Sequence, residues 1–142
     1  MARACIEVTD DPPQEAHKAL VDGLTAHSAQ VPGRGFAPRP LAILLRDRES
    51  GSVQGGLMGR TDKDWLFVQL FFVPEAERGN GLGSRMLHLA EDEARARGCR
   101  HAWLDTFSFQ APDFYRRHGY HEFGVLPDYP AGYARHFFTK NL

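Results

Sequence analysis

Cysteine is scarce in this chain. Cys5 and Cys99 are the only two in 142 residues, which excludes a disulfide framework and a multi-thiolate metal site. Both read as small buried hydrophobes beside strand-like segments. Long apolar runs are missing too. The longest, 65 to 73, is interrupted by Gln69 and is less than half of the roughly 20 residues a membrane-spanning helix needs. The opening MARACIEVTDDPP carries no apolar stretch of the secretory kind, so a cytoplasmic, reducing location is expected. An excess of one charge is also absent. Seventeen basic against eighteen acidic side chains leave a formal charge of −1, which argues against nucleic acid or an anionic membrane surface as principal partner. No repeat, low-complexity tract or composition shift divides the chain, so residues 1–142 are expected to form one domain. Such a chain buries about 70% of its unfolded surface without staples.

What is present is periodicity of two kinds. Ala16, Leu20, Val21 and Leu24 share one face of a helix predicted over 13–27. A loop follows over 28–40, rich in proline and glycine. Strand-like segments at 41–47 and 52–60 flank turn chemistry at 48–51, and a polar turn leads to a third segment, apolar on both faces and therefore central, at 65–73. Leu82, Met86, Leu89, Ala90 and Ala94 recur at helical spacing up to Arg97 and Gly98. Residues 99–106 then read as a strand. A strand, a helix and a strand predict a right-handed crossover and parallel pairing of 65–73 with 99–106. A short helix over 112–118 and strands within 121–126 and 133–140 complete an α/β domain with a mixed sheet. Arg46, Arg48, Arg95, Arg97 and Arg100 stand among acids and read as solvated faces.

The most informative segment joins the central strand to the following helix. Between Val73 and Arg85 it places Gly79, Gly81 and Gly83 at alternate positions. Glycines there let backbone approach a ligand closely, and the unpaired N–H groups of a first helical turn, with the helix dipole, attract phosphate oxygens. Arg78 adds a cation at the rim. A P-loop is excluded because no lysine follows the glycines, and a dinucleotide fingerprint fits poorly because its third glycine falls on Ser84 and residues 74–77 intervene.

Arg78-Gly79-Asn80-Gly81-Leu82-Gly83 resembles the acyl-CoA pyrophosphate loop of the GNAT superfamily of N-acetyltransferases, Arg/Gln-x-x-Gly-x-Gly/Ala. Downstream, residues 106–120 are similar to the same family's Asn-x-x-Ala-x-x-Phe-Tyr-x-x-x-Gly-Phe segment, with Ala111, Phe114, Tyr115, Gly119 and Tyr120 in the matching places. The family's frequent Asn falls on Ser108, and Gln110 is the candidate to replace it. The likeness covers roughly 41–125. It implies a GNAT-like fold: a mixed, mostly antiparallel central sheet, a parallel splayed pair and flanking helices.

The resemblance also implies roles. The backbone of Phe71, Phe72 and Val73 would pair with pantetheine, and Arg78, Gly79, Asn80, Gly81, Leu82, Gly83 and Ser84 would hold the pyrophosphate of acetyl-CoA, the co-substrate. Tyr115 resembles the family's general acid for the departing thiolate. A lysine-like amine is neutral in only about one molecule in 2,500 at pH 7, a penalty of about 4.6 kcal/mol, so a base or desolvation is needed. Where relatives place that base on the central strand this chain has Phe67 or Gln69, which leaves Glu75 and Asp105 as the nearest carboxylates, acting through water. Gln69 and His118 are candidates to contact the acceptor. His118 and His121 lack supporting ligands, so no metal is expected. The aromatic stretch 128–140 would shape the acceptor pocket or an interface such as a homodimer's.

The expected activity is direct transfer of acetyl from acetyl-CoA to a primary amine of a small molecule, with no covalent enzyme intermediate. An acyl-CoA-binding sensor without turnover, and an acetyltransferase acting on a protein or peptide amine, are the alternatives.

Overall fold

Alternation along the strands decides where the core sits. In the computed structural model, which describes residues 3–29 and 37–142, six strands form one sheet: β1 (Arg39–Arg46), β2 (Val53–Asp62), β3 (Trp65–Phe72), β4 (His101–Phe107), β5 (His121–Pro127) and β6 (Ala134–Asn141). Their order is β1-β2-β3-β4-β6-β5. Every neighbouring pair is antiparallel except β3 and β4. This is the mixed, mostly antiparallel sheet with one parallel pair that the sequence implies, and β3 is central as its two apolar faces require.

Leu41, Leu57, Leu66, Val68, Ala102, Leu104 and Phe138 point from the strands to one face and are buried there. Helix α2 (Leu82–Ala96) answers with Leu87, Ala90 and Ala94, and helix α3 (Pro112–Arg117) with Tyr115. Each fully buried leucine contributes about 1.5–3 kcal/mol. Glu91 lies in the same layer, 1% exposed. Its carboxylate accepts from the Lys140 Nζ at 2.9 and 3.1 Å and from the Tyr120 hydroxyl at 2.8 Å. One buried acid therefore ties α2 to β6 and to the residue just before β5.

The chain separates into two compact units, Met1–Arg34 and Gly35–Leu142; the sheet, α2 and α3 make up the second. In the first, helix α1 (Gln14–His27) forms where periodicity places it, and Leu20, Val21 and Leu24 on its stripe are exposed. Of the loop expected over 28–40, residues 30–36 lie outside the described residues, and Arg39 and Pro40 already belong to β1.

Two readings need correction. Cys5 is exposed and outside any strand, so it is not a buried hydrophobe, whereas Cys99 is buried before β4 and its thiol is pushed up by burial and by Asp64. Arg97 is not a solvated arginine. It donates to the carbonyl of Pro40 at 2.9 Å and to Thr61 Oγ1 at 3.2 Å, and its Nε bonds Glu93 at 2.9 Å. It thereby pins the end of α2 to β1 and β2. No helix among the described residues is long and apolar enough to cross a membrane.

Candidate active site

The parallel pair comes apart halfway along. β3 and β4 are in register from Trp65 opposite His101 to Val68 opposite Leu104, and no further. At that point β3 is disturbed from its other side. Gly59 pairs with Val68 and Met58 with Leu70, so Gln69 is a bulge residue with no partner on β2. Position 59 must be glycine, because a Cβ there would stand 2.0 Å from the Phe67 carbonyl oxygen. The bulge shifts the alternation by one residue, and Phe71 joins Leu66 and Val68 on the helix face, edge-on to Phe114 at 5.9 Å and Tyr115 at 6.5 Å. β4 does not follow: it continues to pair with β6 as far as Phe107. The gap between the strands opens the sheet into a cavity of about 1000 Å³. Thr106, Phe114 and Tyr115 line it from the helix face, and Asp105, of opposite parity on β4, lines it as well.

The mouth of the gap is the glycine segment. Gly79 and Gly81 adopt φ of +86° and +78°, and Gly81 occupies the N-cap of α2. Left-handed residues are of the kind that build anion-binding nests of backbone N–H groups. Leu82 N–H is taken by Asn80 Oδ1 at 3.3 Å. Those of Gly79, Asn80, Gly81, Gly83 and Ser84 meet no acceptor among the described residues. The space where a Cβ of Gly79 or Gly81 would stand is open for 4 Å. Gly83 instead lies against the Phe114 ring, 3.6 Å from where its Cβ would be. Arg78 folds back, its Nε donating to the Val73 carbonyl at 2.8 Å, so that carbonyl is already engaged.

Tyr115 is buried, yet every sealed side-chain oxygen among the described residues has a partner and the Tyr115 hydroxyl has none, so this hydroxyl reaches the cavity. Burial, helped by the charge of Asp105, pushes the phenol up to about 12. Asp105 is held by Arg135, whose Nε and Nη2 reach Oδ1 at 2.8 and 2.7 Å. Its Oδ2 meets no protein donor among the described residues. Gln110 Oε1 accepts from Phe107 N–H at 2.9 Å and from the Thr106 hydroxyl at 3.1 Å, closing the turn that leads into α3. Ser108, at the position of the family's Asn, instead accepts from Ala134 N–H at 3.0 Å.

Gln69, Phe71, Phe72, Val73, Arg78, Gly79, Gly81, Leu82, Gly83, Ser84, Asp105 and Tyr115 thus line one cavity. Glu75, Asn80 and His118 stand outside its wall. Glu75 is exposed in the short 3-10 turn Glu75–Glu77, while Glu77, which sequence reasoning passed over, lines the cavity. The His118 ring bridges two elements: Nδ1 donates to the Phe114 carbonyl at 2.7 Å, and Nε2 shares a hydrogen bond with the Ser84 hydroxyl at 2.8 Å. It connects the first turn of α2 to the helix bearing Tyr115. Phe109, Phe114 and Arg117 are further wall residues. Only Phe114 carried a signal in the sequence, as the neighbour of Tyr115.

The chain is similar to known proteins in sequence and in fold. The sequence pattern of the acetyltransferase (GNAT) family matches residues 6–120. Acetyltransferase Atu2258 of Agrobacterium fabrum is 42% identical over 128 residues, which is 90% of this chain and 92% of that protein. Blasticidin-S acetyltransferase of Streptomyces morookaense is 44% identical over 95 residues, 66% of this chain and 70% of its own. The crystal structure of an acetyltransferase from Bacillus cereus superposes with a TM-score of 0.82 at 31% identity, over 96% of this chain and 98% of that one.

Proposed function

The chain belongs to the acetyltransferase (GNAT) family, and from that premise we propose that it transfers acetyl from acetyl-CoA directly to a primary amine of a small molecule. The observation that carries the reading is the set of N–H groups of Gly79, Gly81, Gly83 and Ser84, which meet no acceptor among the described residues, on residues that line the gap between β3 and β4. Those donors and the N-terminus of α2 suit a pyrophosphate, and the free edge of β3 beyond Val68 suits an extended amide-bearing chain. Arg78 to Ser84 and the backbone of Phe71 to Val73 would hold acetyl-CoA in this way. The name of the Streptomyces relative supports a small acceptor.

Acetyl-CoA supplies a thioester: the amine nitrogen bonds the acyl carbon, the C–S bond breaks, and one proton passes overall from nitrogen to sulfur. Tyr115 serves the sulfur. Its phenol stays protonated at every physiological pH, so it donates a hydrogen bond as charge develops there. Asp105 serves the amine. With Oδ1 on Arg135 and Oδ2 facing no protein donor, it accepts the amine's proton through water. Glu75, outside the wall, is left no direct part.

Isothermal titration with acetyl-CoA, followed by thiol release against amines, polyamines and peptides, tests the reading. Saturable binding with release driven by small amines is expected. Release with peptides alone would move the acceptor class, binding without release from any amine would favour a sensor, and absence of binding would overturn the assignment.

A further inference from the structure

Beyond Asp105 the wall of the cavity turns aromatic. Phe109, a wall residue, lies flat on Phe107 with ring centroids 5.2 Å apart and planes 5° from parallel. Tyr133 meets Phe109 at 5.2 Å and 85°. Phe109 is 56% exposed and Tyr133 51%. Two large rings at right angles, each half in solvent and one of them on the cavity wall, form a corner with open aromatic surface.

The corner is braced from behind. Tyr129 stacks on Phe107 at 5.7 Å, and the Arg135 guanidinium lies 5.5 Å from the Phe107 centroid and 5.2 Å from that of Tyr129. Arg135 is in turn held by Asp105. The two loops that carry the rings are clasped: Ser108 N–H donates to the Ala134 carbonyl at 2.8 Å and Ala134 N–H to the Ser108 hydroxyl at 3.0 Å. Rings fixed by such bonds need little ordering to bind, and exposed aromatic surface that the core does not use marks a binding site.

We propose that this corner selects the acceptor, and that the amine acetylated here carries a planar ring. That ring stacks on Phe109 and presents its edge to Tyr133, the geometry aromatic groups favour. The amino group on a short arm then enters the cavity past Asp105 toward Tyr115. The inference rests on the proposed transferase reading and adds the class of acceptor: aryl or heteroaryl amines with an exocyclic aminoalkyl group.

Benzylamine and cyclohexylmethylamine are matched probes, equal in reach and differing in the flatness of the ring. Thiol release with acetyl-CoA should favour benzylamine about tenfold in kcat/KM. In Phe109→Ala and in Tyr133→Leu the preference should fall about threefold or more, carried mainly by a higher KM for benzylamine. Phe109→Tyr should keep the preference. Calorimetric binding of benzylamine to the protein supplies a readout independent of turnover and should weaken in the same variants. Both rings are half-exposed, so the variants should melt near the parent, and a melting scan checks that. Equal kcat/KM for the two amines in the parent, or a preference that survives both substitutions, would overturn the corner while leaving the transferase intact. Loss of acetyl-CoA binding in the parent would overturn both.

Discussion

Replacing Tyr115 with Phe removes one oxygen that has no hydrogen-bond partner among the described residues and faces the cavity. The fold loses nothing it uses, so stability should change by less than about 0.5 kcal/mol. Turnover should change far more. Burial and the charge of Asp105 hold the phenol at about 12, while a departing alkyl thiol lies near 8.5, so complete proton transfer runs uphill by about 5 kcal/mol. In the proposed role Tyr115 would therefore act by donating a hydrogen bond to sulfur as it gains charge, and a bond of that kind contributes about 1.5–3 kcal/mol. The expected loss in kcat is about tenfold to 150-fold, with the Kd of acetyl-CoA unaltered. Steady-state thiol release at saturating substrates measures it, and a pre-steady-state burst experiment establishes that chemistry limits the rate. The parent's kcat should rise with pH as the amine deprotonates and show no falling limb below about pH 11. An unchanged kcat in the Phe variant would refute the assignment. So would a falling limb below about pH 10 that the substitution abolishes, since that phenol would have a lowered pKa.

Other perturbations address the loop, the core and the alkaline range. A Cβ at Gly81 meets no protein atom within 4 Å, and at φ of +78° any side chain there strains the backbone by about 1–2 kcal/mol, so Gly81→Asp should still fold with a lowered melting temperature that Gly81→Ala shares. A carboxylate among the N–H groups proposed to hold the pyrophosphate should weaken acetyl-CoA more than about 100-fold, against about threefold or less for Gly81→Ala, both read by calorimetry. Glu91→Leu strands the Lys140 ammonium and the Tyr120 hydroxyl. It should cost about 3 kcal/mol, or about 10 °C in melting temperature, and much of this should return when Lys140→Met and Tyr120→Phe are added. Burial raises the phenols of both Tyr115 and Tyr120. The native state keeps protons there that the unfolded chain releases above about pH 10, so stability should be intact below that pH and fall as pH rises from about 10 to 12. Urea midpoints across that range measure the slope, and Tyr115→Phe should flatten it.

Local chemistry made much of this protein legible from its sequence. Apolar runs marked the strands at 65–73 and 99–106, helical spacing marked Ala90 and Ala94, and alternate glycines marked Gly79 and Gly81 as a place of close backbone approach ahead of a helix, where the structure gives both a positive φ. Each property is set within a few residues of chain, because side-chain parity, helical period and glycine's tolerance of positive φ are local. The partners of charged and polar groups were decided elsewhere. Arg97 and Glu91 look like members of a solvated charged face, and only the packing of α2 on the sheet brings Thr61, Tyr120 and Lys140 to them. Asp105 and Arg135, thirty residues apart, meet because β6 enters the sheet between β4 and β5, an order that strand periodicity does not encode. The same insertion brings Tyr133 against Phe109 and so builds the aromatic corner. Local sequence determined which elements form and where the loop at the mouth lies; tertiary pairing alone decided which side chains face one another across the cavity, because contact between distant segments depends on strand order and register.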